Sequence, residues 1–250
     1  MSQIHIGLSG YAYKPWHGEG RFYPPELKVK EFFAYYCARF DAVEMDGTWY
    51  RMPSEKMVEQ WCAAPDGFTF SPKMHRNVTH MARLKEESYD SAKFFMKRLR
   101  PAIEAGKLGS VLIQLPPNLK AYPERLRDFL EMLPKKAKEI EGGTADVPIR
   151  YAVEFRNVAW NTDEIEGMLA AHNIGWVASE TDDEDSVQRD SATHAYFRLR
   201  RTEYDDDQLK AWAKKFKALA RMSREVFIFC KHEDDSSPWI WANKLIEWTR

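Results

Sequence analysis

Short apolar runs of strand length recur along the 250-residue chain, each followed by a longer segment of helical period. The runs begin near Ile4, Asp41, Gly67, Gly109, Arg150, Ile174, His194 and Glu225, eight in all. Glu26 to Phe40 carries Leu27, Val29, Phe32, Phe33 and Tyr36 as a broad apolar stripe behind Pro24-Pro25, which predicts a helix over that span. Ser54 to Ala64 reads as a helix capped by Ser54, and Asn161 with Glu164 three positions on reads as a capping box. Tyr204 to Arg221 and Trp239 to Trp248 supply the late helices, and the charged run Lys135 to Glu141 reads as the solvated end of another. Eight strand-then-helix units without a Pro/Gly/Ser linker predict parallel strands joined by helical crossovers. The α/β fold expected is a single (β/α)8 TIM barrel, irregular in its later helices, with residues 1–250 as one domain. A doubly wound open sheet is the alternative, but Gly7-Leu8-Ser9-Gly10-Tyr11 is too short for its phosphate fingerprint.

Two of the runs depart from a purely apolar pattern. Val43-Glu44-Met45-Asp46 and Val153-Glu154-Phe155-Arg156 place charges at alternate positions, and Trp49 and Trp160 follow within a few residues. Period-two geometry puts Glu44 with Asp46, and Glu154 with Arg156, on one strand face, with Val43, Met45, Val153 and Phe155 on the other. A strand with one face of ionised groups is expected to serve a site.

Composition narrows the classes. Lys plus Arg number 37 against 38 Asp plus Glu, so no global charge draws the chain to nucleic acid or an acidic membrane surface. Cys37, Cys62 and Cys230 are odd in number, far apart and without a C-x-x-C pair, which predicts a reducing compartment rather than a disulfide framework or a cysteine metal site. The N-terminus lacks a signal-like apolar stretch and no run reaches spanning length, so a soluble cytoplasmic protein with no membrane partner is expected.

In a barrel, side chains at the C-terminal strand ends converge on one mouth. Read strand by strand, these are Ser9 and Tyr11, Glu44 and Asp46, Lys73, Gln114, Glu154 and Arg156, Glu180, Arg198, and Lys231 with His232. Glu44, Asp46 and Glu154 face Lys73, Arg156, Arg198 and Lys231, a balance that suits a small anionic ligand better than a divalent metal. The structural alternative is a buried ion-pair network in which the charges neutralise one another, with Arg156 placed to clamp a neighbouring carboxylate such as Glu44.

The same residues carry a family resemblance. Gly7-Leu8-Ser9-Gly10-Tyr11 with Trp16, Phe22-Tyr23-Pro24, Val43 to Tyr50, Phe68 to Lys73 with Thr79-His80, Gln114-Leu115-Pro116-Pro117, and Val153 to Arg156 with Trp160 resemble the YecE-like family of TIM-barrel proteins, domain of unknown function 72. The resemblance runs in order over most of the chain and implies the barrel and a cavity at the strand tips, not a reaction. Asp46 stands where that family usually has Asn, and Arg200-Arg201 and Cys230-Lys231-His232 also differ from its pattern.

Several chemistries fit a mixed-charge mouth. A catalytic metal needs converging His and carboxylates; only His75, His80 and His232 fall near strand ends, none in an H-x-H or H-E-x-x-H motif, and Lys73 and Arg156 oppose a cation. No metal and no cofactor are therefore expected. Glu44 and Glu154 across the barrel suit a glycosidase-like carboxylate pair, with Tyr13, Trp16, Trp49, Tyr50 and Trp160 available for sugar stacking. Lys73 reads either as a Schiff-base or proton-transfer lysine, or as a point charge for an anion, because cations and acids around it push its pKa in opposite directions.

The expectation is an enzyme, a hydrolase, lyase or isomerase without an obvious metal site, acting on a small polar or anionic, sugar- or phosphate-like substrate. Glu44, Glu154 and Lys73 are its catalytic candidates. Ser9, Tyr11, Tyr13, Trp16, Asp46, Tyr50, Gln114, Arg156, Trp160, Arg198 and Lys231 are its substrate-binding candidates, with Tyr13, Trp16 and Trp160 as walls. Met74 to Glu87 and Lys231 to Pro238 are the expected lids. A nucleic-acid-binding or nuclease-like barrel using Lys73, Arg76, Arg198, Arg200 and Arg201 is the alternative, opposed by the acidic stretches Asp182 to Asp185, Asp205 to Asp207 and Glu233 to Asp235. A non-catalytic ligand-binding protein is a further alternative.

Overall fold

The computed structural model describes residues 4–222, 224–231 and 237–250. Its eight strands are β1 (Ile4–Ser9), β2 (Ala42–Met45), β3 (Thr69–Pro72), β4 (Val111–Gln114), β5 (Tyr151–Glu154), β6 (Gly175–Glu180), β7 (His194–Leu199) and β8 (Glu225–Cys230). All pair in parallel, in the order β3-β2-β1-β8-β7-β6-β5-β4. Between the two outermost strands the ladder is replaced by bridges at Phe70 with Leu108 and Lys73 with Leu112, which close the sheet into a barrel. Each strand begins within two residues of its apolar run, and the (β/α)8 expectation holds.

The helices are α1 (Phe32–Cys37), α2 (Gly47–Tyr50), α3 (Glu55–Cys62), α4 (Tyr89–Glu104), α5 (Pro123–Met132), α6 (Asp163–Ala171), α7 (Asp206–Arg221) and α8 (Pro238–Thr249). Ser54 caps α3 by accepting from the Met57 amide at 3.2 Å. The helix expected from Glu26 is shorter: the Lys28 amide donates to Glu31 Oε2 at 2.9 Å, a 3-10 turn follows, and Val29 is 71% exposed instead of joining the apolar face. α6 is capped by Thr162, whose hydroxyl accepts from the Ile165 amide at 3.3 Å, not by an Asn161–Glu164 box. Lys135 to Glu141 is no helix end; α5 stops at Met132, and Lys136 and Lys138 turn back to pair with Asp146 at 2.9 and 3.0 Å.

Two cores result from the period-two alternation. Ala42, Leu112, Ala152, Val177, Tyr196, Phe227 and Phe229 fill the barrel, while Val43, Val153 and their equivalents face the helices. Position 7 must be glycine, because a Cβ there would stand 1.8 Å from the Ala42 carbonyl oxygen. That close approach is bridged by Tyr36, whose hydroxyl accepts from the Leu8 amide at 2.8 Å and donates to the Ala42 carbonyl at 2.9 Å. No helix among the described residues is long and apolar enough to cross a membrane.

Candidate functional site

The inward register of the barrel core continues to the strand tips. There Ala42 is followed by Glu44, Leu112 by Gln114, Ala152 by Glu154 and Tyr196 by Arg198. Arg198 is fully buried and joins the two acids: Nη2 lies 2.7 Å from Glu44 Oε1 and Nη1 lies 2.8 Å from Glu154 Oε2. Ser9 also donates to Glu44 Oε1, and the Tyr196 hydroxyl donates to Oε2 at 2.7 Å. On Glu154, Gln114 Nε2 donates at 2.7 Å from the adjacent strand, and Arg156 Nε lies 3.0 Å away. The clamp on Glu44 that the sequence offers to Arg156 is thus supplied by Arg198, because Arg156 lies against the acid of its own strand.

Charge balance keeps Glu154 and Arg198 ionised. Burial alone would raise the Glu154 pKa, but Arg198, Arg156, the Gln114 hydrogen bond and Arg200 hold it well below the ordinary carboxylate range. Burial opposes the Arg198 charge, yet Glu44, Glu154 and Asp46 raise its pKa further above its usual value. These two groups supply fixed charges near neutral pH.

Lys73 differs from every charge around it. It follows β3, and among the described residues no carboxylate approaches its amine to ion-pair distance. Its Nζ stands 5.1 Å from the Trp49 ring centroid. Burial, then Arg198, lower its pKa to about 8, and the attraction of Asp46, Glu154 and Glu44 only partly offsets them. Its backbone is anchored by Thr48 in α2, whose hydroxyl lies 2.7 Å from both the Met45 and the Lys73 carbonyl oxygens.

Trp49 also touches His80. The indole Nε1 lies 3.2 Å from His80 Nδ1, and Thr79 Oγ1 lies 2.9 Å from the same nitrogen. An indole N–H can only donate, so Nδ1 is an acceptor and the neutral ring carries its proton on Nε2. Burial, with Lys73, Arg156 and Arg83, lowers the His80 pKa to about 4. The residues from Met74 to Glu87 do not form a free lid: Met74, Val78 and Leu84 are in the core, and a π-helical turn, Asn77–Met81, carries His80. That turn exits through Arg83 and Leu84 at φ 54° and 63°, a backbone conformation costly for residues with a Cβ.

The other sequence candidates divide between mouth and scaffold. Asp46 lies 3.7 Å from Arg198 Nη2. Burial, then Asp46 and Glu44, raise the Tyr13 pKa to about 12, which puts its hydroxyl beside those acids. Tyr50 is at the rim, edge-on to Trp49 at 4.6 Å. Lys231 continues the inward register of Phe227 and Phe229. Tyr11, Trp16 and Trp160 do not line the mouth. Tyr11 packs on Phe33 and Tyr36, Trp16 on Phe22 and Trp239, and Trp160 stacks on Phe155 while donating to the Leu119 carbonyl at 2.8 Å. These three follow strands through turns that carry them into the barrel–helix layer, where strand alternation no longer sets direction. Glu180 faces outward, accepting from Tyr204 at 2.6 Å and Trp212 at 3.0 Å in a separate cavity of about 350 Å³. His232 and most of the expected Lys231 to Pro238 lid lie outside the described residues.

The sequence reading missed Tyr196 and Ser179, although both share the inward alternation of their strands. It weighed Trp49 and His80 separately and did not join them. Among the described residues no three His, Cys, Asp or Glu side chains gather as metal ligands.

The eight-stranded barrel has counterparts among known proteins. The family described as "Protein of unknown function DUF72" matches residues 5–249. The chain belongs to the DUF72 family. A DUF72 family protein from Thermotoga maritima MSB8 superimposes with a TM-score of 0.80 at 26% identity, covering 98% of each chain. One from Enterococcus faecalis V583 shares the fold at a TM-score of 0.71 and 16% identity, over 99% of this chain and 98% of that one. The UPF0759 protein YunF of Bacillus subtilis strain 168 is 28% identical in a 191-residue alignment that covers 72% of this DUF72 chain and 61% of YunF.

Proposed function

We infer that this DUF72 chain is an enzyme that binds a small polar or anionic, sugar- or phosphate-like substrate at the strand tips, the whole chain serving as one barrel domain. The observation carrying this reading is a set of buried polar atoms at the mouth, Asp46 Oδ1, Arg198 Nε and Ser179 Oγ, with no hydrogen-bond partner among the described residues. Buried polar atoms are rarely left unpaired, and a bound polar ligand would satisfy them. Lys73 beside them, with no carboxylate at ion-pair distance among the described residues, gives the ligand its expected sign.

The roles divide by pairing. Sequence gives Glu44 and Glu154 the acid and base roles, but their shared guanidinium favours a rigid charged floor that fixes Arg198. Above it, Lys73 and Arg156 are the residues to neutralise substrate charge, Asp46 and Tyr13 to hydrogen-bond it, and His80 Nε2–H to polarise it. Exposed acids in the loop after β6 and at the start of α7 disfavour a long polyanion such as nucleic acid. Three free cysteines fit a cytoplasmic setting.

Inorganic phosphate and a panel of sugar phosphates, titrated calorimetrically against wild-type protein and Arg156→Met, test the reading. Saturable binding weakened about tenfold or more in R156M, with the wild-type circular dichroism spectrum retained, supports it. An absence of binding across the panel, with a crystal soak showing only water between Lys73 and Asp46, would overturn it.

A further inference from the structure

We propose that Lys73 is a nucleophile that forms a reversible imine with the carbonyl carbon of a small anionic aldehyde or ketone bound at the barrel mouth. This rests on the mouth being a substrate site, and it narrows the substrate to a carbonyl compound.

Three placements support it. Arg156 and Arg198 at the mouth each engage a carboxylate, whereas no acid reaches the Lys73 amine to ion-pair distance among the described residues. A lysine needed only for charge would gain by closing such a pair; a nucleophile must keep its lone pair available. Second, the residue is held still, with Thr48 binding its carbonyl and the Trp49 ring under its ammonium end. Third, proton donors and acceptors are present. His80 offers Nε2–H, because Trp49 occupies Nδ1, and Asp46 keeps one buried oxygen without a hydrogen bond.

The chemistry balances without any added oxidant or metal. The neutral amine attacks the carbonyl carbon, forming a C–N bond while the C=O π pair moves to oxygen, which accepts a hydrogen bond from His80 Nε2–H and takes its proton from solvent. Asp46 accepts a proton from the nitrogen of this carbinolamine. Asp46 returns that proton to the hydroxyl, which leaves as water as the nitrogen lone pair forms C=N, leaving a protonated imine. Hydrolysis reverses each step. The cationic imine acidifies C–H bonds beside the former carbonyl, so aldol-type cleavage or proton exchange at that carbon is the reaction class it opens. The depressed Lys73 pKa supplies the neutral amine: near pH 7 about a tenth of the residue is uncharged, against less than one part in a thousand for an exposed lysine.

The test is borohydride trapping near neutral pH with glyoxylate, pyruvate and glyceraldehyde 3-phosphate, followed by peptide mass mapping of wild-type protein, Lys73→Arg and Lys73→Met. Lactate, with no aldehyde or ketone group, is the binding control, scored by how far it slows acetylation of Lys73. The expected result is a reduced adduct at Lys73 at least tenfold above that at exposed lysines, absent in both variants and suppressed by lactate. If lactate and the carbonyl acids both shield Lys73 but none is trapped there, the mouth binds anions and the imine is overturned. If none shields and none is trapped, both the imine and the substrate-site reading fail. Trapping spread evenly over surface lysines overturns the imine as well.

Discussion

Glu44 and Arg198, 154 positions apart in the chain, meet at 2.7 Å with neither side chain exposed. Glu44→Gln leaves the guanidinium one carboxylate short while keeping the shape of the site, and Arg198→Met leaves two buried acids facing each other. Removing one partner of a buried pair typically costs about 3–5 kcal/mol. Urea unfolding should therefore show a loss of about 3 kcal/mol in E44Q and a larger one in R198M. A double variant, E44Q with R198M, should fall short of the sum, since both changes break the same bond.

Acid should weaken the fold in two stages. His5 and His194 are buried, and burial, reinforced for both by Arg150, lowers each pKa to about 4. The unfolded chain binds protons at these sites below its ordinary value of about 6.5 while the folded chain does not. Their stabilisation is complete above that value and drains away as pH falls from about 6.5 to about 4. Glu154 acts lower: its folded pKa is depressed, so its contribution is present above the unfolded carboxylate value and lost as pH drops beneath it. Denaturation curves between pH 7 and 3 should slope from about pH 6.5, and His194→Phe should flatten the upper part of that slope only.

Trp49 sets the proton position on His80. In Trp49→Phe the ring loses its indole donor, and Thr79 alone remains at Nδ1. Nitrogen NMR of labelled histidine should show a nearly pure Nε2–H form in the wild type and a mixture of tautomers in W49F. An unchanged spectrum would separate the two residues.

Gly7→Ala should be one of the most damaging single methyl additions to the barrel. The new Cβ would stand inside the Ala42 carbonyl, and the neighbouring atoms are backbone rather than a flexible side chain. Overpacking commonly costs about 1–3 kcal/mol, and a backbone clash in a closed sheet belongs at or above that range. Chemical denaturation, or failure to recover soluble protein, reads it.

Much of the barrel was legible because apolar runs and strand alternation are local. Glu44, Gln114, Glu154 and Arg198 face inward as period-two geometry requires, and the same rule places Glu180 outside beside Trp212. What alternation could not show is which acid a base meets. Arg198 reaches Glu44 because β7 and β2 lie near each other across the closed barrel, a tertiary fact. Nor could it orient Trp16 and Trp160, whose rings are turned by 3-10 segments into the helix layer. The sign of the Lys73 shift depended on whether its neighbours were already paired, and only the assembled mouth shows that Arg198 has taken Glu44 and Glu154.

The barrel is not equally strong around its circumference. Seven neighbouring strand pairs are zipped by continuous ladders, whereas β3 and β4 are joined by separate bridges, one of them at Lys73 itself. The residue that stands out chemically is therefore set on the seam of the cylinder, where amides should exchange with solvent sooner than on β1, β7 or β8. At the strand tips Arg198 pairs with Glu44 on β2 and with Glu154 on β5, one strand to either side of that seam, so a single guanidinium clasps the cylinder where its ladder is missing.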